Sequence, residues 1–134
     1  MNSLSVWFMK RKARKLATKL EKALQPWCHV ALTGSMLYDN ARPGGGSYKD
    51  IDLLLYPDGN GEEVSLVVNQ ILDKEGLKFV RFGKVAEYGP CNRTYAVDNH
   101  RVGVYDYNGT RVDIIRTALP RDLSGLVKLE RPGA

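Results

Sequence analysis

The sequence predicts a single α/β (α+β) domain in which helices pack on one mixed sheet. Three observations carry this. Apolar residues recur at helical spacing in two segments, short apolar runs suited to strands alternate with them, and Asn108-Gly109 separates two further strand-like runs. An order of helix, strand, helix, strand implies a sheet with helices layered on it. At 134 residues, 43% of them apolar, the chain is one domain long and too apolar for general disorder. Two cysteines, Cys28 and Cys91, are too few for a disulfide scaffold and suit a reduced, cytoplasmic chain. No apolar run approaches the roughly 18 residues of a membrane span, so a membrane partner is not expected.

Each element has its own signal. Residues 1–25 form a basic amphipathic helix: Leu16, Leu20, Ala23 and Leu24, with Ala13 and Ala17, make one apolar stripe. Pro26 and Trp27 end it. Cys28 to Thr33 reads as a short buried strand closing at Gly34-Ser35, with a turn of helix over 35–42. Pro43 to Ser47, with three consecutive glycines, is a loop. Asp50 to Tyr56 is a strong strand. Glu62 to Glu75 is a helix, with two acids opening it and Gly76 just past its end, as the helix dipole and C-terminal geometry favour. Leu77 to Phe82 is a strand, and 84–93 a loop. Val102 to Tyr107 and Thr110 to Arg116 form a tight hairpin about Asn108-Gly109. Thr94 to Val97 offers one more strand. The core spans 28–116, and 117–134 is a loosely structured tail.

The excess charge is concentrated at the start. Lys10, Arg11, Lys12, Arg14, Lys15, Lys19 and Lys22 face a single acid, Glu21, within the first 25 residues, which gives that segment +6 while the rest sums to −1. A solvated helix face is the plain reading. The functional one is a phosphate-backbone patch carried by Lys10, Arg11, Lys12, Arg14 and Lys15.

Asp50-Ile51-Asp52 is the most informative triplet. Side chains alternate along a strand, so Asp50 and Asp52 share one face while Ile51 and Leu53 take the other. Two carboxylates at the mouth of an apolar strand repel each other and call for a compensating charge, which a divalent cation supplies. Hard oxygen ligands select Mg²⁺ or Mn²⁺. Sixteen residues upstream, Gly34-Ser35 ends a strand in a turn whose N–H groups and hydroxyl suit phosphate oxygens. Asp113, flanked by apolar residues, is a third acid on a hairpin strand, an expensive place for a carboxylate without a partner. Three acids on neighbouring strands beside a phosphate-binding turn make a two-metal phosphoryl-transfer site.

Gly34-Ser35, Asp50-Ile51-Asp52-Leu53 and Asp113 together resemble the nucleotidyltransferase superfamily typified by DNA polymerase beta, and the run from Thr33 looks like its small stand-alone members. The resemblance spans about residues 28–116 and is specific only in these short segments. It implies a nucleotidyltransferase-like sheet and in-line attack by an acceptor hydroxyl on the α-phosphorus of an NTP, with pyrophosphate leaving. Asp50 and Asp52 would hold the metals, Asp113 would complete the second metal site and help deprotonate the acceptor, and Gly34 and Ser35 would hold the β- and γ-phosphates. Arg42, Lys49 and Arg111 stand near the site in sequence. Arg42 and Lys49 are assigned to the nucleotide, although all three cations read more readily as solvated than as catalytic. Two departures from the family pattern bear on the triphosphate pocket: a longer gap between Ser35 and Asp50, and Lys49 where many relatives carry Ser. The basic helix favours an RNA or DNA end as acceptor, with a protein acceptor as the competitor. The alternative function is a catalytically silent nucleotidyltransferase fold that binds nucleic acid through the basic helix.

Other signals carry less. The Pro43–Ser47 loop lacks the Gly-Lys-Ser/Thr of a phosphate loop. His29, His100, Cys28 and Cys91 show no zinc-ligand spacing. Tyr88, Tyr95, Tyr105 and Tyr107 on or near strands suit packing better than base stacking.

Overall fold

The computed structural model describes residues 3–34, 50–57, 62–83, 102–116 and 129–133. The chain runs through helix α1 (Ser3–Leu24), strands β1 (His29–Thr33) and β2 (Ile51–Tyr56), helix α2 (Glu62–Lys74), and strands β3 (Lys78–Phe82), β4 (Val102–Tyr107) and β5 (Thr110–Arg116). Every one of these elements was expected from the sequence, with ends shifted by a residue or two. The predicted helical turn at 35–42, the glycine loop, the 84–93 loop and the strand at Thr94 to Val97 lie outside the described residues.

Among the described residues, five strands form one mixed sheet in the order β1-β2-β5-β4-β3. β2 and β5 pair in parallel, and the other neighbours are antiparallel. Both helices lie on one face. Ala13, Leu16, Ala17, Leu20 and Leu24 of α1 are buried together with Val30, Leu32, Ile51, Leu53, Leu55, Val112 and Ile114 from β1, β2 and β5. α2 adds Val68 and Leu72 to the same cluster. β2 is buried at all six positions, which is why, Asp52 apart, it is apolar on both faces and does not alternate with polar residues.

The ends of the elements follow from specific residues. Trp27 and Cys28 donate their N–H groups to the Leu24 carbonyl at 2.8 and 3.2 Å, closing α1. Glu21, the single acid of the basic segment, reaches forward to β1: its carboxylate accepts from the Val30 N–H at 2.6 Å and lies 2.8 Å from His29 Nδ1. After α2, Gly76 takes a φ of +95°. Leu77 N–H donates to Leu72 O at 2.9 Å and Gly76 N–H to Asp73 O at 3.1 Å, the paired bonds of a glycine-capped helix end. Leu77 and Leu72 are both buried in the core cluster.

The β4–β5 hairpin turns through Asn108 at φ +50° and Gly109 at φ +84°, the two left-handed residues that such a two-residue turn requires. An added Cβ at Gly109 would have nothing within 4 Å. Gly109→Ala therefore isolates the backbone cost, and urea unfolding is expected to show a loss of about 1–2 kcal/mol with an unchanged m-value.

Residues 129–133 belong to the tail expected to be loose. Glu130 pairs with Leu32 on the outer side of β1 in an isolated antiparallel bridge, and its carboxylate accepts both Arg14 Nε at 2.9 Å and an Arg14 Nη at 3.1 Å. Nothing in the local sequence pattern around Glu130 marks a strand.

Candidate active site

The parallel pairing of β2 with β5 sets Asp52 directly opposite Asp113. Partners in register share a face, so the two carboxylates emerge side by side, about 4.8 Å apart at the backbone. Thr33 pairs with Asp52 from β1, and Val104 with Asp113 from β4, so one row crosses four strands. This row lies on the face away from α1 and α2. Thr33, Asp52 and Asp113 are all buried, the two acids at 8% and 5% exposure.

Asp50 and Arg111 stand one step back along the same face, at the start of β2 and near the start of β5. Arg111 grips Asp113 with a fork, Nε to Oδ1 at 2.8 Å and Nη2 to Oδ2 at 3.2 Å. The same Nε lies 3.9 Å from Asp50 Oδ2. A bidentate arginine is the strong form of a carboxylate partner, and it meets the requirement that a buried Asp113 be paired. The expectation of a solvated Arg111 is thereby corrected. Its position two residues before Asp113 on a strand places both side chains on one face, and that spacing was the available signal.

Gly34 completes the described site. It turns at φ +78°, and a Cβ built on it would lie 2.1 Å from Asp52 Oδ2 and 2.7 Å from that carboxyl carbon. The Asp52 carboxylate therefore rests against bare backbone, and only glycine leaves it that room. Ser35, Arg42 and Lys49 lie outside the described residues.

Asp50, Asp52 and Asp113 are hard oxygen donors, and with Arg111 their formal charges leave an excess of two negatives at the end of an apolar sheet. That donor chemistry fits Mg²⁺ or Mn²⁺. Among the described residues, however, no three His, Cys, Asp or Glu side chains converge in metal-holding geometry. Arg111 stands between Asp113 and Asp50, where a shared cation would otherwise draw the acids together. The donor set is present and its arginine counter-ion is engaged.

The basic residues of α1 divide by direction. Lys12 Nζ donates to Thr110 Oγ1 and lies 5.8 Å from the Tyr107 ring centre. Arg14 is held by Glu130, and its pKa is raised further by that hydrogen bond. Arg11 stacks over Trp7 at 5.5 Å, and Lys15 is exposed. Trp7, Lys19 and Lys22, left out of the predicted basic patch, share this face. Cys28 is buried, and burial pushes its thiol up to about 11; it stays protonated near neutral pH and is no nucleophile. No described helix is long and apolar enough to cross a membrane.

Comparison of the chain with family models, with curated proteins and with solved structures finds no match. The resemblance to nucleotidyltransferases accordingly rests on the motif residues themselves.

Proposed function

We propose that the protein is a metal-dependent nucleotidyltransferase that moves an NMP from an NTP to an acceptor hydroxyl. The observation that carries this reading is the register of Asp52 against Asp113, two buried carboxylates from distant parts of the chain placed side by side next to Gly34. Arg111 compensates Asp113, and with Asp50 and Asp52 on the same face the three acids still exceed that one arginine by two formal charges, which favours a divalent cation there.

Asp50, Asp52 and Asp113 would hold Mg²⁺ or Mn²⁺, which when bound neutralises triphosphate charge and acidifies the attacking hydroxyl. The turn at Gly34 offers backbone to the β- and γ-phosphates. Asp113 Oδ2, the oxygen under the longer Arg111 contact, accepts the proton of the acceptor hydroxyl. The acceptor oxygen bonds to the α-phosphorus as the bond to the bridging β-oxygen breaks, and pyrophosphate departs with that electron pair. Arg111 exchanges Asp113 for the developing charge on the leaving group. Most of the acceleration comes from positioning and fixed charge. The buried Cys28 thiol and the small cysteine count suit a reducing compartment, and the reading places the chain in the cytoplasm.

The test is incubation with each α-labelled NTP in Mg²⁺ or Mn²⁺ at low salt, with and without total RNA. Label on an acceptor, with one pyrophosphate released per NMP incorporated, is the expected result. Binding of RNA with no label from any NTP would instead support the catalytically silent module.

A further inference from the structure

We infer that the outward face of α1 is a binding groove for single-stranded nucleic acid, with Trp7 as its base-stacking platform. A shallow, largely open depression of about 930 Å³ runs along this face, lined by α1 itself and by Glu75. Trp7, Arg11, Arg14, Lys15, Lys19 and Lys22 line it. Trp7, Arg11, Lys15, Lys19 and Lys22 follow one another at steps of three or four residues, with Arg14 beside Lys15, so they form a stripe on one side of the helix, about 22 Å from end to end.

The charge on this stripe suits phosphates. Five cations meet one lining acid, Glu75, which Lys19 engages at 3.4 Å, while Arg14 is engaged by Glu130 from outside the groove. Lys15 and Lys22 form no ion pair among the described residues. At the head of the groove Trp7 has Arg11 over its ring at 5.5 Å and the Phe8 ring edge-on at 5.0 Å, and it stays 52% exposed, which leaves indole surface for a base. A cationic track interleaved with an aromatic plane is how single strands are held without sequence readout. A duplex offers phosphates but no open base to stack.

The same features argue against a lipid surface. An interfacial helix inserts an apolar face and keeps its cations on the opposite one. In α1 the apolar stripe of Leu16, Leu20 and Leu24 is buried in the domain; the exposed apolar side chains Leu4, Trp7 and Phe8 are confined to its first turns, and Trp7 shares the outward side with the cations. The groove lies across the sheet from the acidic row, and α1 touches only the strand ends near it. Lys12, on the same helix, holds Thr110, the residue before Arg111, and Lys12 and Lys19 both lie over Tyr107 at the end of β4. α1 is thus anchored at the end of the sheet where Asp50 and Arg111 stand. That the bound strand is the acceptor rests on the nucleotidyl-transfer reading; that it binds does not.

The experiment titrates the full chain, in EDTA and without NTP, with a 5′-labelled single-stranded oligonucleotide of about 12 nucleotides, the matching duplex, and phosphatidylserine vesicles. The single strand is expected to bind more tightly than the duplex, and the vesicles not at all. Trp7→Ala should weaken single-strand binding roughly 5- to 100-fold. Lys15→Gln with Lys22→Gln should make the log–log salt slope shallower by about 1.4. Both lysines are exposed, so this second variant is expected to fold even if Trp7→Ala does not. Asp52→Asn should bind as the parent does, which separates this groove from the catalytic reading. Equal affinity for duplex, vesicle binding in place of oligonucleotide binding, no binding, or indifference to the Trp7 and lysine changes overturns the proposal.

Discussion

Asp52→Asn and Asp113→Asn are each expected to cut NMP transfer by at least about 10²–10³-fold, the range seen when one preorganised charge-stabilising group is lost, while their stabilities move apart. Asn is nearly isosteric with Asp, so neither change opens a cavity. Asp52→Asn removes a negative charge beside another one, and relief of that repulsion offsets what the carboxylate contributed; unfolding in EDTA should lie within about 1 kcal/mol of the parent. Asp113→Asn leaves the Arg111 fork facing a neutral amide. Loss of a partly buried charge-assisted pair costs about 1.5–3 kcal/mol. Mn²⁺ supplies a second readout that requires no turnover. At a hundred times its dissociation constant a metal bound only to the folded chain stabilises it by about 2.7 kcal/mol, and this increment should appear in the parent and vanish in both variants. A parent whose melting temperature ignores Mn²⁺, or an Asp52→Asn protein that still transfers at the parental rate, removes the metal site from the account.

Much of this site was legible in the sequence, and the reasons differ from residue to residue. Asp50 and Asp52 are separated by two on a strand, so a shared face followed from chain geometry alone. Asn108-Gly109 fixed the hairpin, because few dipeptides adopt two left-handed conformations cheaply. Gly76 marked the end of α2 for a similar reason. The opposition of Asp52 and Asp113 was different: it depends on β2 and β5 lying next to each other in parallel, across an intervening helix and two strands, and no local pattern encodes that. The Arg111 fork escaped notice although its spacing from Asp113 was in plain view, since a cation on a strand near a loop is ordinarily solvated. Glu130 gave no signal, because an isolated bridge to Leu32 has no periodicity to read. Which α1 cations are engaged by Tyr107, Thr110 and Glu130, with Arg14 and Lys19 also lining the groove, likewise depends on which neighbours the fold brings beside the helix.

Gly34→Ala is expected to be the most disruptive single methyl in the described structure, and Gly109→Ala is its control. Both glycines have a φ near +80°, so both substitutions meet the same left-handed penalty of about 1–2 kcal/mol. At Gly109 the added Cβ meets nothing; at Gly34 it lands 2.1 Å from Asp52 Oδ2. That oxygen cannot retreat easily. Asp52 is almost wholly buried and fully buried Thr33 is its neighbour in the row, so the overlap is relieved only by off-rotamer side chains or backbone shifts, at about 1–3 kcal/mol more. The total for Gly34→Ala should reach roughly 2–5 kcal/mol, against the smaller loss at Gly109. Transfer activity and Mn²⁺ stabilisation should fall with it, because the carboxylate that must move is one of the proposed ligands. A double-mutant cycle isolates the contact: in Asp52→Ala the carboxylate is gone and Gly34→Ala should then cost little more than Gly109→Ala, a coupling of about 1–3 kcal/mol. Additive losses would show that the glycine is required for its backbone angle alone. The close seat of Asp52 on Gly34 would then have no energetic standing, and the link between the turn and the acidic pair would have to be abandoned.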